Sequence, residues 1–481
     1  EMPPNNTSIY DFYQGKCILI TGTTGFVGKC VLEKVLRDLR GVSKIFLLVR
    51  EKKGRKLEDR VTSEIVMSEI FDRLRQEIDD FEGFFWSKII PVGGDINLDG
   101  LGLSDESLRN ISSHLNILIN CAANVDFNER LDGAMNTNCR GPKRMLQLAS
   151  VCPHLQSYVH VSTAYVNSNL PTGARVPEEL PQVKHDGDDL LAEIARMTPE
   201  DIVARTPGWL GAYPNTYTFT KALGEWLLKK HMGQTPVGIL RPTIIGSAWR
   251  EPMPGWVDTV SAGGAMYLSG GLGLMPVMRG RPDMVGDQIP VDLVANGILL
   301  AAMAVAAAGP SSGPLIFHCG TSTVRPVKWR DTARAVVRYW VRSPSTKSEL
   351  KPWYTMVSNP LEYHYIYTVY LTLPAALVRL HAKMNPSDKA SQKRAKSLTK
   401  VLQRTRMLQE TFRHFVNNEW FFDSTRMLSL GRDLLRDDAE RARFGVDASR
   451  LDWVTYLADF QYGLQRWVLK EGAARRGAVY D

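Results

Sequence analysis

The chain has 481 residues, 44% of them hydrophobic and 23% charged, which excludes a disordered polymer and suffices for one large domain plus a smaller one. A formal charge of +8 and a pI near 9.1 admit nucleic acid, anionic lipid or a phosphorylated ligand without choosing among them. Six cysteines fall mostly in apolar runs with no Cys-x-x-Cys pair and read as buried free thiols of a reducing compartment. Residues 1–6 lack the basic start and apolar core of a signal peptide, and a chain that opens on Glu1 leads us to expect further residues upstream.

The first ordered stretch is Cys17-Ile-Leu-Ile-Thr-Gly-Thr-Thr-Gly-Phe-Val-Gly28, an apolar run that ends in Gly22, Gly25 and Gly28, three apart. Ile18, Leu19 and Ile20 predict a buried strand, and Val31, Leu32, Val35, Leu36 and Leu39 recur at helical spacing. Strand, tight turn and helix together predict a dinucleotide site, because backbone without a Cβ can approach a pyrophosphate and the helix N-terminus favours negative charge. A P-loop is disfavoured: Thr23 stands where its first glycine is needed, and Cys30 replaces the magnesium-binding hydroxyl.

Lys44 to Val49 predicts a second buried strand, ending at Arg50. An acidic residue about twenty positions past the glycines would bind a ribose 2′-hydroxyl, whereas Arg accepts a 2′-phosphate. Arg50, with Lys52, Lys53 and Arg55 nearby, therefore points to NADPH, against the alternative of a solvated basic loop that Glu51 favours. Lys56 to Glu77 predicts an amphipathic helix, and Lys88 to Val92 a third strand. Asp95 follows Gly93 and Gly94, where a carboxylate can accept from an adenine amino group or simply form a turn. The fourth strand, Asn116 to Ala123, ends in small residues that permit close approach of a cofactor; Asn138 opens another helix; Ser157 to Ser162 is the fifth strand. The alternation predicts an α/β fold with a Rossmann-type, doubly wound parallel sheet.

The proline-rich stretch from Asn167 to Pro214 reads as an irregular substrate-side excursion. Val237 to Arg241, stopped by Pro242, is the sixth strand, and Pro314 to Cys319 the seventh, with a Gly, Pro and Met-rich stretch, Gly246 to Asp287, between them. We expect a catalytic domain over 10–343 and a smaller, mainly helical one over 355–472, where aromatics crowd Trp353 to Tyr370 and a basic segment runs from Lys383 to Arg406. That basic segment has no interleaved aromatics, which argues against nucleic acid. The nine histidines are scattered without metal-ligand spacing.

Tyr217 and Lys221 lie four apart on a predicted helix and so share a face. A cation beside the phenol, Lys221 together with an oxidised nicotinamide, would lower its pKa from about 10. Thr163, at the end of the fifth strand, can hold a substrate carbonyl, and Asn138 can support a water relay to Lys221. The set predicts hydride transfer with tyrosine as proton donor.

These motifs resemble the extended short-chain dehydrogenase/reductases, and more closely the alcohol-forming fatty acyl-CoA reductases. The likeness rests on the glycine turn, Ser162-Thr163-Ala164-Tyr165, Tyr217 and Lys221, and on Pro91 to Ile96, Ala122 to Phe127, Arg241 to Gly246, Glu251 to Trp256 and Ile289 to Asp292. It continues past the catalytic part around Asn418-Glu-Trp420 and Met427, whereas Asn124 and Pro171 to Trp209 depart from the pattern and leave the substrate details open. The resemblance implies that Thr163, Tyr217, Lys221 and Asn138 carry catalysis. It implies NADPH held by Thr21, Gly22, Thr24, Gly25, Phe26, Val27, Gly28, Arg50, Asp95, Ile96, Cys121, Ala122, Ala123, Tyr217, Lys221, Pro242 and Ile244. No metal is implied. The implied reaction takes long-chain fatty acyl-CoA through a bound aldehyde to a primary alcohol, a precursor of wax, with Gly246 to Asp287 lining the acyl tunnel. Competing readings are an aldehyde-forming reductase, a dehydrogenase of a sterol or nucleotide sugar, and a non-catalytic NADPH- or lipid-binding module. Tyr363 to Leu380 is too short and interrupted to span a bilayer, so with the basic segment it predicts an interfacial hairpin at the cytosolic face of endoplasmic reticulum or peroxisome; a plain core-packing helix is the alternative. A homo-oligomer stays open.

Overall fold

A computed structural model describes residues 7–51, 54–260, 262–348 and 351–472. Seven apolar runs form its central sheet: β1 Cys17–Thr21, β2 Lys44–Val49, β3 Ile89–Gly93, β4 Ile117–Asn120, β5 Ser157–Val161, β6 Val237–Pro242 and β7 Leu315–Cys319. They lie in the order β7-β6-β5-β4-β1-β2-β3, with every neighbour parallel. Such strands are continuously apolar because helices cover both faces. The strand order reverses beside β1, and a crevice at the carboxyl ends there is where an open α/β sheet binds ligand.

Helices α1 Phe26–Asp38, α2 Gly141–Ser150, α3 Thr216–His231, α4 Val291–Ala308 and α5 Trp329–Arg342 pack around the sheet. Helix α4, which the sequence reading leaves unassigned, is buried from Val291 to Val305. It is apolar and long enough to cross a membrane by composition alone, yet it packs on α1, β5 and β6 as a core helix. Each fully buried Leu, Ile or Val there stabilises the fold by about 1.5–3 kcal/mol. Helix α1 is buried even on its charged side: Lys34 and Arg37 each pair with Asp38 and with Glu251, and Arg443 reaches Asp38 at 2.7 Å.

Two stretches differ from expectation. Lys56 to Glu77 is not one helix: Leu57–Val61 widens into the turn Thr62–Val66 and breaks before Asp72–Glu77, because Arg75 donates to the carbonyls of Val66 and Ser68 and so satisfies the freed chain end. The proline-rich excursion holds two helices, Gly187–Ile194 and Pro199–Leu210. Asp186 and Thr198 cap them by accepting from first-turn N–H groups, and Pro199 sits in the first turn, where its missing N–H costs nothing. Their Leu190, Leu191, Ile194 and Ile202 pack against Phe219, Leu223 and Leu227 of α3.

The C-terminal third is woven into the rest. Pro360–Tyr367 leads through Thr368–Thr372 into α6 Leu373–Met384, which pairs with α7 Lys389–Asn417 as a helical hairpin. The short strand Trp420–Phe422 runs parallel to Ala174–Val176, and Thr355–Val357 to Val277–Arg279. Helix α8 Trp453–Gly463 is bolted to α5 where Trp340 Nε1 donates to Gln461 Oε1 at 2.9 Å. All six cysteines are unpaired, five of them buried and Cys121 half-buried.

Candidate active site

The turn from β1 into α1 is built so that no side chain fills it. Gly22 has φ +72°, and a Cβ on it would lie 2.9 Å from the Ala122 nitrogen; one on Gly28 would lie 2.4 Å from the Gly22 carbonyl oxygen. Gly25 caps α1 without a side-chain acceptor, so no side chain there competes for the first-turn N–H groups. The Thr23 hydroxyl is buried with no partner. A cradle of this kind, with free donors at a helix N-terminus, fits the pyrophosphate of a dinucleotide.

Thr21 ties the cradle to its neighbour strand: its Oγ1 donates to Asn120 Oδ1 at 2.6 Å and accepts from the Ala122 N–H at 3.1 Å. Cys121, Ala122 and Ala123 continue half-buried past β4, and Thr24 and Val27 are half-buried in the turn. Phe26 stacks on Trp256 at 5.3 Å, so its ring belongs to the packing under the turn. Arg50 stands exposed directly past β2, its carbonyl accepting from Arg60; Lys52 and Lys53 lie outside the described residues. Asp95 Oδ1 accepts from the Asn97 N–H at 2.9 Å, the turn-forming arrangement, while Ile96 is buried against Gly141. Pro242 ends β6, and Ile244 begins a three-residue strand that pairs with Gln288–Pro290.

The candidate catalytic side chains Thr163 and Tyr217 lie near one another past the end of β5. Asn215 caps α3 by accepting from the Thr218 N–H at 2.9 Å, which places Tyr217 in the first turn. The Thr163 side chain acts on the phenol, pulling its pKa down, and the Tyr217 ring stacks on Phe127 with centroids 5.5 Å apart. Thr163 is fixed by the Pro242 carbonyl at 3.5 Å and by the Tyr165 N–H at 3.3 Å. Phe412 and Phe415 of α7 close on Phe127, and Phe415 also meets Tyr165. Phe412 and Phe415 thus form an aromatic wall against Phe127, the ring on which Tyr217 stacks.

Lys221 by itself does not lower the tyrosine pKa in this geometry. Burial pushes the Tyr217 phenol up to about 12, against a smaller opposing pull from the Thr163 side chain. Lys221 is turned to β5, donating to the Val161 carbonyl at 2.7 Å and meeting His160 Nε2 at 3.2 Å. Burial brings its ammonium down to about 8, opposed by the Glu225 carboxylate. The phenol is therefore protonated at neutral pH, as a proton donor must be. Asn138 does not reach Lys221 directly: its amide donates to the Asn124 carbonyl and to Thr220 Oγ1, and its own carbonyl lies where a Cβ on Gly224 of α3 would be 2.3 Å away. Phe127, Asn120 and His160 are site residues that the sequence reading did not single out; for the last two the signal was a polar side chain inside an otherwise apolar strand.

Residues 20–298 match the NAD-binding family described as Male sterility protein, and 370–471 match the Sterile family of the same description. Solved structures with a similar fold include the terminal R domain from the myxalamid PKS-NRPS biosynthetic pathway, with TM-score 0.59 and 18% identity over 96% of this chain and 92% of that one. Another is the reductase domain of a nonribosomal peptide synthetase from Mycobacterium tuberculosis, with TM-score 0.60 and 17% identity over 98% and 94%. Fold and family match together define an oxidoreductase with an NAD(P)-binding reductase fold. Among curated proteins, fatty acyl-CoA reductase 1 of Mus musculus is 32% identical over 464 residues, 96% of this chain and 87% of its own length. Fatty acyl-CoA reductase 2 of Bos taurus is 30% identical over 463 residues, 96% and 86%. The chain belongs to the fatty acyl-CoA reductase family.

Proposed function

We propose that this enzyme uses NADPH to reduce long-chain fatty acyl-CoA to the primary alcohol, in two successive reductions at one site. The reading is carried by Thr163, directly past β5, acting on the Tyr217 phenol in the first turn of α3, at the same carboxyl edge of the sheet as the glycine turn. Bound NADPH supplies one hydride for each reduction. Thr163 and Tyr217 donate to the thioester oxygen where negative charge develops, and Tyr217 yields its proton to give a hemithioacetal. The C–S bond then breaks, CoA leaves as the thiol and the aldehyde carbonyl takes the place of the thioester on the same two hydroxyls. Solvent returns a proton to Tyr217, and a second hydride together with that proton gives the alcohol. The buried Met266, Tyr267, Met275 and Met278, in one apolar cluster with Phe412 and Phe415, suit an acyl chain. The test is full-length protein with a long-chain acyl-CoA, NADPH and an aldehyde-trapping reagent: little aldehyde should be trapped, whereas stoichiometric trapped aldehyde would favour the aldehyde-forming alternative.

Arg50 supports the choice of NADPH over NADH, being exposed past β2 where a 2′-phosphate would lie. Arg50→Asp is expected to raise the KM for NADPH by about 10–100-fold, on the scale of a lost charged hydrogen bond, and to leave that for NADH nearly unchanged. Equal effects on both cofactors would remove Arg50 from this role.

The helical hairpin supports a membrane-facing arrangement. Leu361, Tyr365, Val369, Leu373, Leu377, Leu380 and Met384 are all exposed and recur every three or four residues, one stripe along the hairpin's first arm. Lys389, Lys393, Arg394, Lys396, Lys400, Arg404 and Arg406 are exposed on its second arm, where they would attract anionic lipid. The double variant Leu373→Glu/Leu377→Glu should weaken binding to anionic vesicles at least about 100-fold while activity on a water-soluble short-chain acyl-CoA persists. Equal sedimentation of wild type and variant with vesicles would contradict this placement.

A further inference from the structure

Beneath the catalytic residues a chain of buried polar side chains crosses three adjacent strands and ends on α3. Thr21 Oγ1 of β1 meets Asn120 Oδ1 of β4 at 2.6 Å; Asn120 Nδ2 meets His160 Nδ1 of β5 at 3.1 Å; His160 Nε2 meets Lys221 Nζ at 3.2 Å. All four side chains are buried. A polar chain of this length inside an apolar sheet costs stability unless each group is satisfied, and its hydrogen bonds are directional, so one end constrains the other.

We propose that His160 is a positioning residue for the reaction: it holds the Lys221 side chain through Nε2 and, with Asn120 setting its tautomer, fixes the pH at which Lys221 loses its charge. This rests on the assignment of Lys221 to the site made above. When Lys221 is an ammonium it donates, so Nε2 must accept; the proton of the neutral imidazole then lies on Nδ1 and donates to the Asn120 amide oxygen, with the amide turned end for end from the orientation in which Oδ1 faces Thr21 and Nδ2 faces His160. When Lys221 is a neutral amine, Nε2 can carry the proton and donate to it, and Nδ1 accepts from the Asn120 amide nitrogen. The two arrangements differ in the direction of each hydrogen bond along the chain, so the Asn120 amide and the Thr21 hydroxyl turn with the charge of Lys221. Thr21 adjoins the cofactor turn, which places the far end of the chain next to the dinucleotide cradle.

The surroundings leave His160 in this role. Burial and the Lys221 charge hold the imidazole well below its ordinary pKa, so it stays neutral. The groups that act on Lys221 are Glu225 one turn along α3 and the thiols of Cys139 and Cys121. Glu225 is engaged by Arg241 of β6, and burial keeps both thiols protonated. Tyr158, two residues before His160 on β5, is held by the Pro142 carbonyl and meets Asn120 Nδ2 at 3.5 Å. The imidazole is thus a neutral acceptor directly on the ammonium.

The test titrates Lys221 itself in the full-length protein without substrate, by carbon-13 NMR of ε-labelled lysine, with the resonance assigned by its loss in Lys221→Met. His160→Phe keeps the ring and removes the acceptor; the midpoint should fall by about one pH unit, the scale of a hydrogen bond to a charged group. His160→Gln restores an acceptor and should recover most of that shift. Asn120→Asp can only accept and adds negative charge, so its midpoint should rise; it also serves if His160→Phe does not fold. The alkaline limb of kcat/KM should move in parallel with each midpoint. Coincident midpoints in wild type, His160→Phe and Asn120→Asp would overturn the proposal. Absence of acyl-CoA-dependent NADPH oxidation in the wild type would instead count against the proposed reaction and leave the titration as an independent result.

Discussion

Tyr217→Phe is expected to lower kcat by about 10²–10⁴-fold, the usual range for loss of a positioned proton donor, while NADPH affinity changes no more than a few-fold. The phenol hydroxyl is the group on which the Thr163 side chain acts, and the phenylalanine ring keeps the stack on Phe127, so the variant removes the proposed proton and oxyanion donor without removing the ring. Steady-state kinetics and NADPH binding by tryptophan quenching check it together. Wild-type turnover in Tyr217→Phe would make the proposed acid wrong. Tyr213 is no substitute, since it lies buried among Leu190, Leu191, Ile202 and Phe219. The pH profile has a defined sign. Lys221 is charged below about 8 and loses its charge as pH rises through that value, so activity should fall on the alkaline side well before the phenol ionises at about 12.

Gly28→Ala should be nearly as severe, by a different route. Its Cβ would lie 2.4 Å from the Gly22 carbonyl oxygen and 2.9 Å from the Thr23 nitrogen, both backbone atoms that cannot swing aside as a side chain end can. The turn must open. Overpacking of this kind costs roughly 1–3 kcal/mol, and if the cradle bears that cost NADPH affinity falls by up to about 100-fold. Gly208→Ala is the control: nothing lies within 4 Å of its Cβ position, and cofactor affinity should stay at the wild-type value. Equal affinity in wild type and Gly28→Ala would contradict a pyrophosphate seat at this turn.

The strands were legible because a buried parallel strand is an uninterrupted apolar run: Lys44–Val49 begins and ends where its pattern does. Tyr217, Lys221 and Thr163 stand out in the sequence as candidates because their types and order suit hydride-transfer chemistry, and the structure brings Thr163 to the Tyr217 phenol while turning Lys221 to β5. Other features depend on tertiary partners that a local pattern does not contain. The helices at Gly187–Ile194 and Pro199–Leu210 were hidden by prolines that prove compatible with a first turn and an exposed face. Helix α4 has no polar face to give a helical period, since it is buried on all sides from Val291 to Val305. That Lys221 does not lower the Tyr217 pKa by itself was not legible, because spacing puts Lys221 on the same helix face but does not reveal that Val161 and His160 claim its ammonium. The wall formed by Phe412 and Phe415 joins residues nearly three hundred positions from Phe127, a contact no spacing rule reaches.

The electron count tests the proposed reaction most directly. Full-length enzyme given limiting long-chain acyl-CoA and excess NADPH should oxidise two NADPH for each CoA released, with the primary alcohol as the recovered product. One NADPH per CoA with free aldehyde recovered, or CoA release without oxidation of NADPH, would contradict it.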